Sequence, residues 1–282
     1  MKIIGVGDNT VDVYLRQNKM YPGGNAVNVP VLALRAGAEA AGYLGILGDD
    51  AAGKLLRDSL LEEKVDLARV RVIHGSNPKN AVLHKKGNQR GWAGDNLEGD
   101  CGGLQLRFTP QDIEYLSSYD VLHTSIHGGA LSLLPLVREK MMVSLDFADG
   151  YTPEQIAAVC PYLDVAFFSA DGLNKEEVEP VILRMLAAGA ETVLCTMGLD
   201  GSVAARGTER IFQPSMKCGE PVVDTLGAGD AYIAAFLLEY WNSRNICKAA
   251  LQGARFSLKA MGHYGAFGHG ADAQTDDIVL KQ

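Results

Sequence analysis

Short apolar runs and stretches of helically spaced apolar residues take turns along this chain. "KIIGVG" (Lys2 to Gly7) reads as a buried strand that begins almost at the first residue. "NAVNVPVLALRAGA" follows as a helix that exits at Gly37, and "EAAGYLGILG" supplies the next strand. The apolar residues of "AGKLLRDSLLEEKV" fall near helical spacing, which predicts an amphipathic helix. "YDVLHTSI", "MMVSLDFA", "LDVAFFSA" and "TVLCTMG" are further β-rich runs, with helices such as "EEVEPVILRMLAAGA" between them. Strands alternating with helices in this way predict an α/β fold, a mostly parallel sheet covered on both faces.

Two segments break the alternation. "VDVYLRQNKMYP" and "NPKNAVLHKKGNQRGWAG" have shorter, more polar, hairpin-like patterns. They predict a small sheet beside the main one, a lid formed by segments near 12–22 and 77–98. Ligands of open α/β sheets lie outside the carboxyl ends of the strands, so chemistry is expected near these segments.

Composition narrows the picture. With 47% apolar residues in 282, and no linker-like tract or repeat, the chain can form one domain with a sizeable core. A formal charge of −8 argues against a nucleic-acid backbone as the main partner. The one short basic stretch, "HKKGNQR" (His84 to Arg90), reads as a solvated hairpin tip. The five cysteines are odd in number and lack C-x-x-C spacing, so neither a zinc site nor a disulfide framework is expected. The opening apolar run reaches Gly7 and Asp8 too early for a signal peptide or a membrane span. The expectation is a soluble protein of a reducing cytoplasm.

Two glycine loops compete as phosphate cradles. "GDDAAGKLL" places Gly48, Gly53 and Lys54 at P-loop spacing, but Leu55 stands where a P-loop needs Ser or Thr. Asp49 and Asp50 would also lie inside a loop meant to wrap a polyanion, so this stretch is expected to be a loop before a surface helix. In "VVDTLGAGDAY" (Val222 to Tyr232), Gly227, Ala228 and Gly229 leave backbone N–H groups open to close approach at the start of an apolar helix. Such a helix start offers unpaired donors and a favourable dipole to an anion. Asp230 is a poor anion ligand itself, and its natural role is to take a proton from an attacking hydroxyl. A capping aspartate in a glycine turn accounts for the same spacing equally well.

A distant element bears on that choice. In "YPGGNAVNVPVLALRAGA", Gly23 and Gly24 again permit close backbone approach, and Asn25 and Asn28 bring donor–acceptor side chains suited to a polyol. Asp8 and Asp12, at or beyond the end of the first strand, can accept hydrogen bonds from sugar hydroxyls. Together they describe a hydroxyl site facing an anion site.

"GGNAVNVPVLALRAG" and "DTLGAGDAY" resemble the paired signatures of the PfkB-type, ribokinase-like carbohydrate kinases, over the chain from its first strand to Gly268. The resemblance implies a three-layer α/β sandwich with a small β lid. It also implies Asp230 as catalytic base, Gly227, Ala228 and Gly229 as anion hole, and Asp12 and Asn28 as binders of substrate hydroxyls beside Gly23 and Gly24. "CTMGLDG" is similar to the nucleotide-site turn, which puts Thr196, Gly198 and Gly201 near ATP, and Asp224 resembles part of a potassium-binding loop. Magnesium is implied as well. Where the family usually shows Asn-x-x-Glu for magnesium, however, this chain has Ser169, Ala170, Asp171 and Gly172, with Asp171 and Glu176 as the available acids.

"GDNTVDVY", "PGGNAVNV", "YDVLHTSIHG", "LDFADG" and "HYGAF" look like segments of the fructoselysine 6-kinase group within the family. That likeness implies a sugar–amino-acid substrate whose positive charge could meet Asp95, Glu98 or Asp100, with Trp92 over its aliphatic part; a solvated acidic loop is the other reading of those residues. His123, His127 and His263 admit both pocket and packing roles. A ribokinase, fructokinase or nucleoside kinase, and a non-catalytic sugar or nucleotide binder, remain the rival readings. Exposed lid edges suggest a homodimer.

Overall fold

The computed structural model describes residues 1–84, 90–217, 219 and 221–281, without the side chains of His84 and Arg90. The predicted hairpin tip at 85–89 therefore lies outside the described residues. An eight-stranded sheet runs, in spatial order, Glu209–Gln213, Ser202–Arg206, Thr192–Thr196, Val165–Ser169, Met142–Asp146, Val121–Ser125, Lys2–Val6 and Ala40–Leu44. The last six are mutually parallel and the first two pair antiparallel at one edge. Strands such as Val121–Ser125 are buried along their whole length. That is the signature of a sheet covered on both faces, and two apolar clusters fill the two sides.

The run "EAAGYLGILG" forms two strands rather than one. Ala40–Leu44 joins the main sheet, while Ile46–Gly48 turns away and pairs with Arg71–Ile73. The break falls at Gly45, where a Cβ would sit 1.9 Å from the Tyr43 hydroxyl, so only glycine fits the bend.

A second sheet has six strands in the order Ala271–Asp272, Lys19–Gly23, Thr10–Tyr14, Lys79–His84, Arg90–Asp95 and Val279–Leu280. Its two hairpins correspond to the segments that broke the alternation. The flanking strands come from the C-terminal tail, which carried no strand signal because each spans two residues. Each tail strand covers only part of a hairpin edge: Met20 and Lys19 on one side, Asp95 and Gly94 on the other. Among the described residues no helix is long and apolar enough to cross a membrane.

Two helices meet across the site. Asn25–Ala36 starts from Gly24, whose φ of 100° suits glycine, and stops at Gly37 in the left-handed region. Ala228–Ser243 starts from Gly227 at φ 77° and is buried along most of its length from Ala231 to Tyr240.

Candidate active site

The carboxyl ends of the parallel strands, the starts of these two helices and the small sheet converge on Asp230. It lies in the first turn of the helix Ala228–Ser243, three residues after the N-cap Gly227. The amide Nδ2 of Asn25 donates to its Oδ1 at 2.8 Å, and Nδ2 of Asn28 donates to its Oδ2 at 2.7 Å. The asparagines expected to face a polyol are thus turned, through their nitrogens, onto the carboxylate. Because both belong to the helix Asn25–Ala36, that helix fixes the rotation of the carboxylate from one side.

Asn25 is held on every side. Its backbone N–H donates to Asp8 Oδ2 at 2.8 Å, and the other oxygen of Asp8 accepts the Ser125 hydroxyl at 2.7 Å. Burial pushes the Asp8 carboxyl above its ordinary pKa, against the pull of those donors. The second amide hydrogen of Asn25 reaches Asp146 Oδ2 at 3.1 Å. Asp146 ends its strand, and burial, with the charges of Asp230 and Asp8 behind it, raises its pKa to about 7. Oδ1 of Asn25 meets His123 Nε2 at 2.7 Å.

The helix start beside Asp230 carries no side-chain cap. The Ala228 N–H points to the Thr225 carbonyl at 3.3 Å, a long bond. Gly229 lines a narrow cleft of about 20 Å³ with Asp146, Ser169 and Thr196. Thr196 Oγ1 and Ser169 Oγ lie 3.2 Å apart, so the residue standing at the Asn of the usual magnesium motif presents a hydroxyl to this cleft. Asp171 packs against Gly198, where a Cβ would come within 3.1 Å of its carboxylate. Glu176 instead lies exposed in the first turn of its own helix, beside Lys175. Gly201 shapes the turn, with no room for a Cβ beside the Gln213 carbonyl.

Asp224 is fully buried and accepts the Tyr14 hydroxyl and the N–H groups of Leu226 and Gly265, the latter two at 3.1 Å each. It ties the turn before Gly227 to the small sheet and to "HYGAFG". Asp12, 3% exposed, packs against Gly23, where a Cβ would collide with its carboxylate. Gly24 likewise lies too close to Asn9 for any side chain.

On the other side of Asp8 a cavity of about 640 Å³ opens, lined among others by Thr10, Asn80, Asp95, Glu98, Leu104 and His127. Leu97 and Glu98 on its rim both adopt the left-handed region, at φ 54° and 68°, a conformation that costs free energy in residues other than glycine. A polar frame holds them there: Asn96 accepts the Lys79 N–H at 2.8 Å and donates to the Asn77 carbonyl at 2.8 Å. Asp95 accepts the Leu97 N–H at 3.0 Å and pairs with Lys281 at 3.4 Å.

Of the residues singled out in the sequence, the structure joins Asp8, Asn25, Asn28 and Asp230 in one network and sets Gly229 against Thr196. Gly198, Gly201, Gly227 and Asp224 shape the turns around it, and Asp95 stands across the cavity. Sequence reasoning missed Ser125 and Ser144 and gave His123 no partner. Their signal is the strand register that makes His123 and Ser144 neighbours.

Comparison with known proteins identifies the family. A fructosamine kinase, FrlD, of Bacillus subtilis (strain 168) is 37% identical over 277 residues, covering 98% of this chain and 96% of its own. A fructoselysine 6-kinase of Escherichia coli (strain K12) is 35% identical over 269 residues, covering 93% and 98%. The fold matches the structure of Arabidopsis thaliana ribokinase complexed with ribose and ATP at a TM-score of 0.78 and 17% identity, over 96% of this chain and 95% of that one. The pfkB family carbohydrate kinase profile matches residues 1–268. The chain belongs to the pfkB family of carbohydrate kinases.

Proposed function

We propose that this protein transfers the γ-phosphoryl group of ATP to a primary hydroxyl, the 6-hydroxyl of fructoselysine or a related sugar–amino-acid conjugate. The observation that carries the reading is Asp230, a carboxylate oriented by two amide donors beside an uncapped helix start. Asp230 removes the proton of the hydroxyl as its oxygen attacks the γ-phosphorus in line. Backbone N–H groups at 227–229 stabilise the charge carried by the transferring group. Asp8, Asp12 and Asn28, with the backbone at Gly23 and Gly24, take the sugar hydroxyls. Thr196, Gly198 and Gly201 border the nucleotide.

Two observations favour a conjugate over a plain sugar. Two relatives at 37% and 35% identity carry the names fructosamine kinase and fructoselysine 6-kinase. The cavity beyond Asp8 is larger than one sugar ring requires, and Asp95 and Glu98 line it with acidic groups suited to an ammonium. Closure of the small sheet as a lid would exclude water and so suppress ATP hydrolysis.

ATP chemistry calls for a divalent cation to offset phosphate charge. Magnesium usually keeps several waters and takes one or two carboxylates besides the phosphates. The residues fit that pattern, since Asp146 borders the cleft at Gly229 and offers it one carboxylate. Asp146, with the Ser169 and Thr196 hydroxyls in the same cleft, would hold it. A potassium ion near Asp224 would act by ordering the turn before Gly227. We further place the protein in the cytoplasm, as a homodimer through the small sheet, whose hairpin edges the tail strands cover only in part.

The test is ATP-to-ADP turnover across fructoselysine, glucoselysine, fructose, ribose and nucleosides. Fructoselysine or its analogue should have the highest kcat/KM. Good turnover of a plain sugar with none of any conjugate would reject the substrate assignment.

A further inference from the structure

His123 is a buried histidine that the reaction itself does not touch, yet it forms the far end of the chain of bonds leading to Asp230. Its Nε2 lies 2.7 Å from Asn25 Oδ1, and its Nδ1 lies 2.8 Å from Ser144 Oγ. The amide oxygen has no hydrogen to give, so Nε2 must carry the proton. Nδ1 is then the bare nitrogen, and the Ser144 hydroxyl donates to it at 2.8 Å in preference to the Leu122 carbonyl, which lies farther away at 3.2 Å. Burial in the strand Val121–Ser125 keeps the ring neutral, with its pKa lowered to about 3.

The protonated Nε2 allows only one orientation of the Asn25 amide. Its oxygen faces His123, and its two N–H bonds then point to Asp230 and Asp146. A flipped amide would set its oxygen against two carboxylates and its NH₂ against the imidazole N–H, three repulsive contacts in place of three attractive ones. Strand register builds the lock, because Ser144 and His123 are direct neighbours on adjacent parallel strands.

We infer that His123, held in place by Ser144, is a positioning residue that locks the Asn25 amide so that it donates to Asp230 and holds that carboxylate in the orientation needed to accept the substrate proton. This rests on the reading of Asp230 as the general base. A carboxylate that accepts amide N–H bonds titrates lower than one that does not. The lock therefore sets both the aim and the acid limit of the base. The titratable groups gathered around Asn25 are Asp8, Asp146, Asp230 and His123; Asn28 is the other donor to Asp230.

The test compares His123→Leu, His123→Gln, Ser144→Ala and Asp230→Asn in the full chain, with kcat, KM and the pH dependence of kcat/KM measured for each. His123→Leu should lower kcat about 10- to 100-fold, the cost of a small misplacement of a reacting group. Sugar KM should change by less than about threefold, since the interaction lost acts on the transition state. The acid limb of the profile should move to higher pH. His123→Gln, whose amide can also donate to Asn25, should recover most of kcat and return the acid limb toward its wild-type position. Ser144→Ala should shift the limb in the same direction by less, and it reports on the lock even if His123→Leu does not fold. An acid limb and kcat unchanged in both His123→Leu and Ser144→Ala, or in Ser144→Ala alone where the leucine variant is unfolded, would overturn the inference. Full turnover by Asp230→Asn would instead overturn the base assignment on which it rests.

Discussion

At the start of the helix Ala51–Glu62, the Asp50 carboxylate accepts the Gly53 N–H at 2.9 Å; at the start of Ala228–Ser243, Gly227 brings no side chain at all. Both turns are rich in glycine and both carry aspartates. In the first, Asp50 closes the helix end from within, and Asp49 is spent on the Gly75 N–H and His74. In the second, Asp230 is drawn sideways by Asn25 and Asn28, which leaves the helix start uncovered. The glycines differ in the same sense. A Cβ on Gly53 would collide with the Gly48 carbonyl at 2.0 Å, so packing alone explains it. A Cβ on Gly229 would meet nothing within 4 Å among the described residues, although that glycine faces the cleft with Asp146 and Thr196. A helix start becomes an anion site only when its own side chains are held elsewhere, and here a second helix does the holding.

The comparison can be broken most severely at Asp230. Asp230→Asn keeps the hydrogen-bonding outline and removes the base, so kcat should fall about 10²–10⁴-fold with little change in melting temperature. Next comes Gly227→Ala, where φ is 77° and the new Cβ would lie 2.5 Å from the Ala266 Cβ. Strain of that kind costs about 1–3 kcal/mol, so denaturant unfolding should show a loss of stability together with lost turnover. Gly229→Ala sharpens the contrast, because its Cβ has space in the protein. Its stability should be unaltered while kcat/KM for ATP drops about tenfold through obstruction of close approach.

Asp50→Ala probes the closed helix start. Loss of an N-cap costs about 1 kcal/mol, visible as a lower melting temperature, and sugar kinetics should not change. A pH-dependent readout tests Asp146. Burial raises its pKa from 3.8 to about 7, so the folded state resists its ionisation. Wild-type stability is therefore eroded as pH rises through that window. Asp146→Asn removes the titration, and its advantage in melting temperature should be absent near pH 4, grow toward pH 7 and level off above it.

Much of this was legible in the sequence, for identifiable reasons. The alternation of runs such as "KIIGVG" and "MMVSLDFA" with helices predicted the parallel sheet, because buried strands must be apolar on both faces. Gly24 and Gly227 were legible because both occupy positive-φ helix starts that favour glycine. The partnership of His123, Ser144 and Asn25 was not, because it depends on which strands become neighbours and in what register, information that a one-dimensional pattern does not carry. The tail strands Ala271–Asp272 and Val279–Leu280 escaped for another reason: two residues have no period. The direction of the Asn25 and Asn28 amides was also invisible, since an asparagine near a polyol site and one gripping a carboxylate look alike in sequence.

The central claim, that the open helix start at Gly227 and not the capped one at Asp50 receives the phosphate, has a direct test in amide NMR of the protein titrated with a non-hydrolysable ATP analogue. The account predicts large shifts at the Gly229 and Asp230 amides and none at Gly53 or Lys54. Shifts confined to Gly53 and Lys54, with Gly229 and Asp230 unmoved, would contradict it.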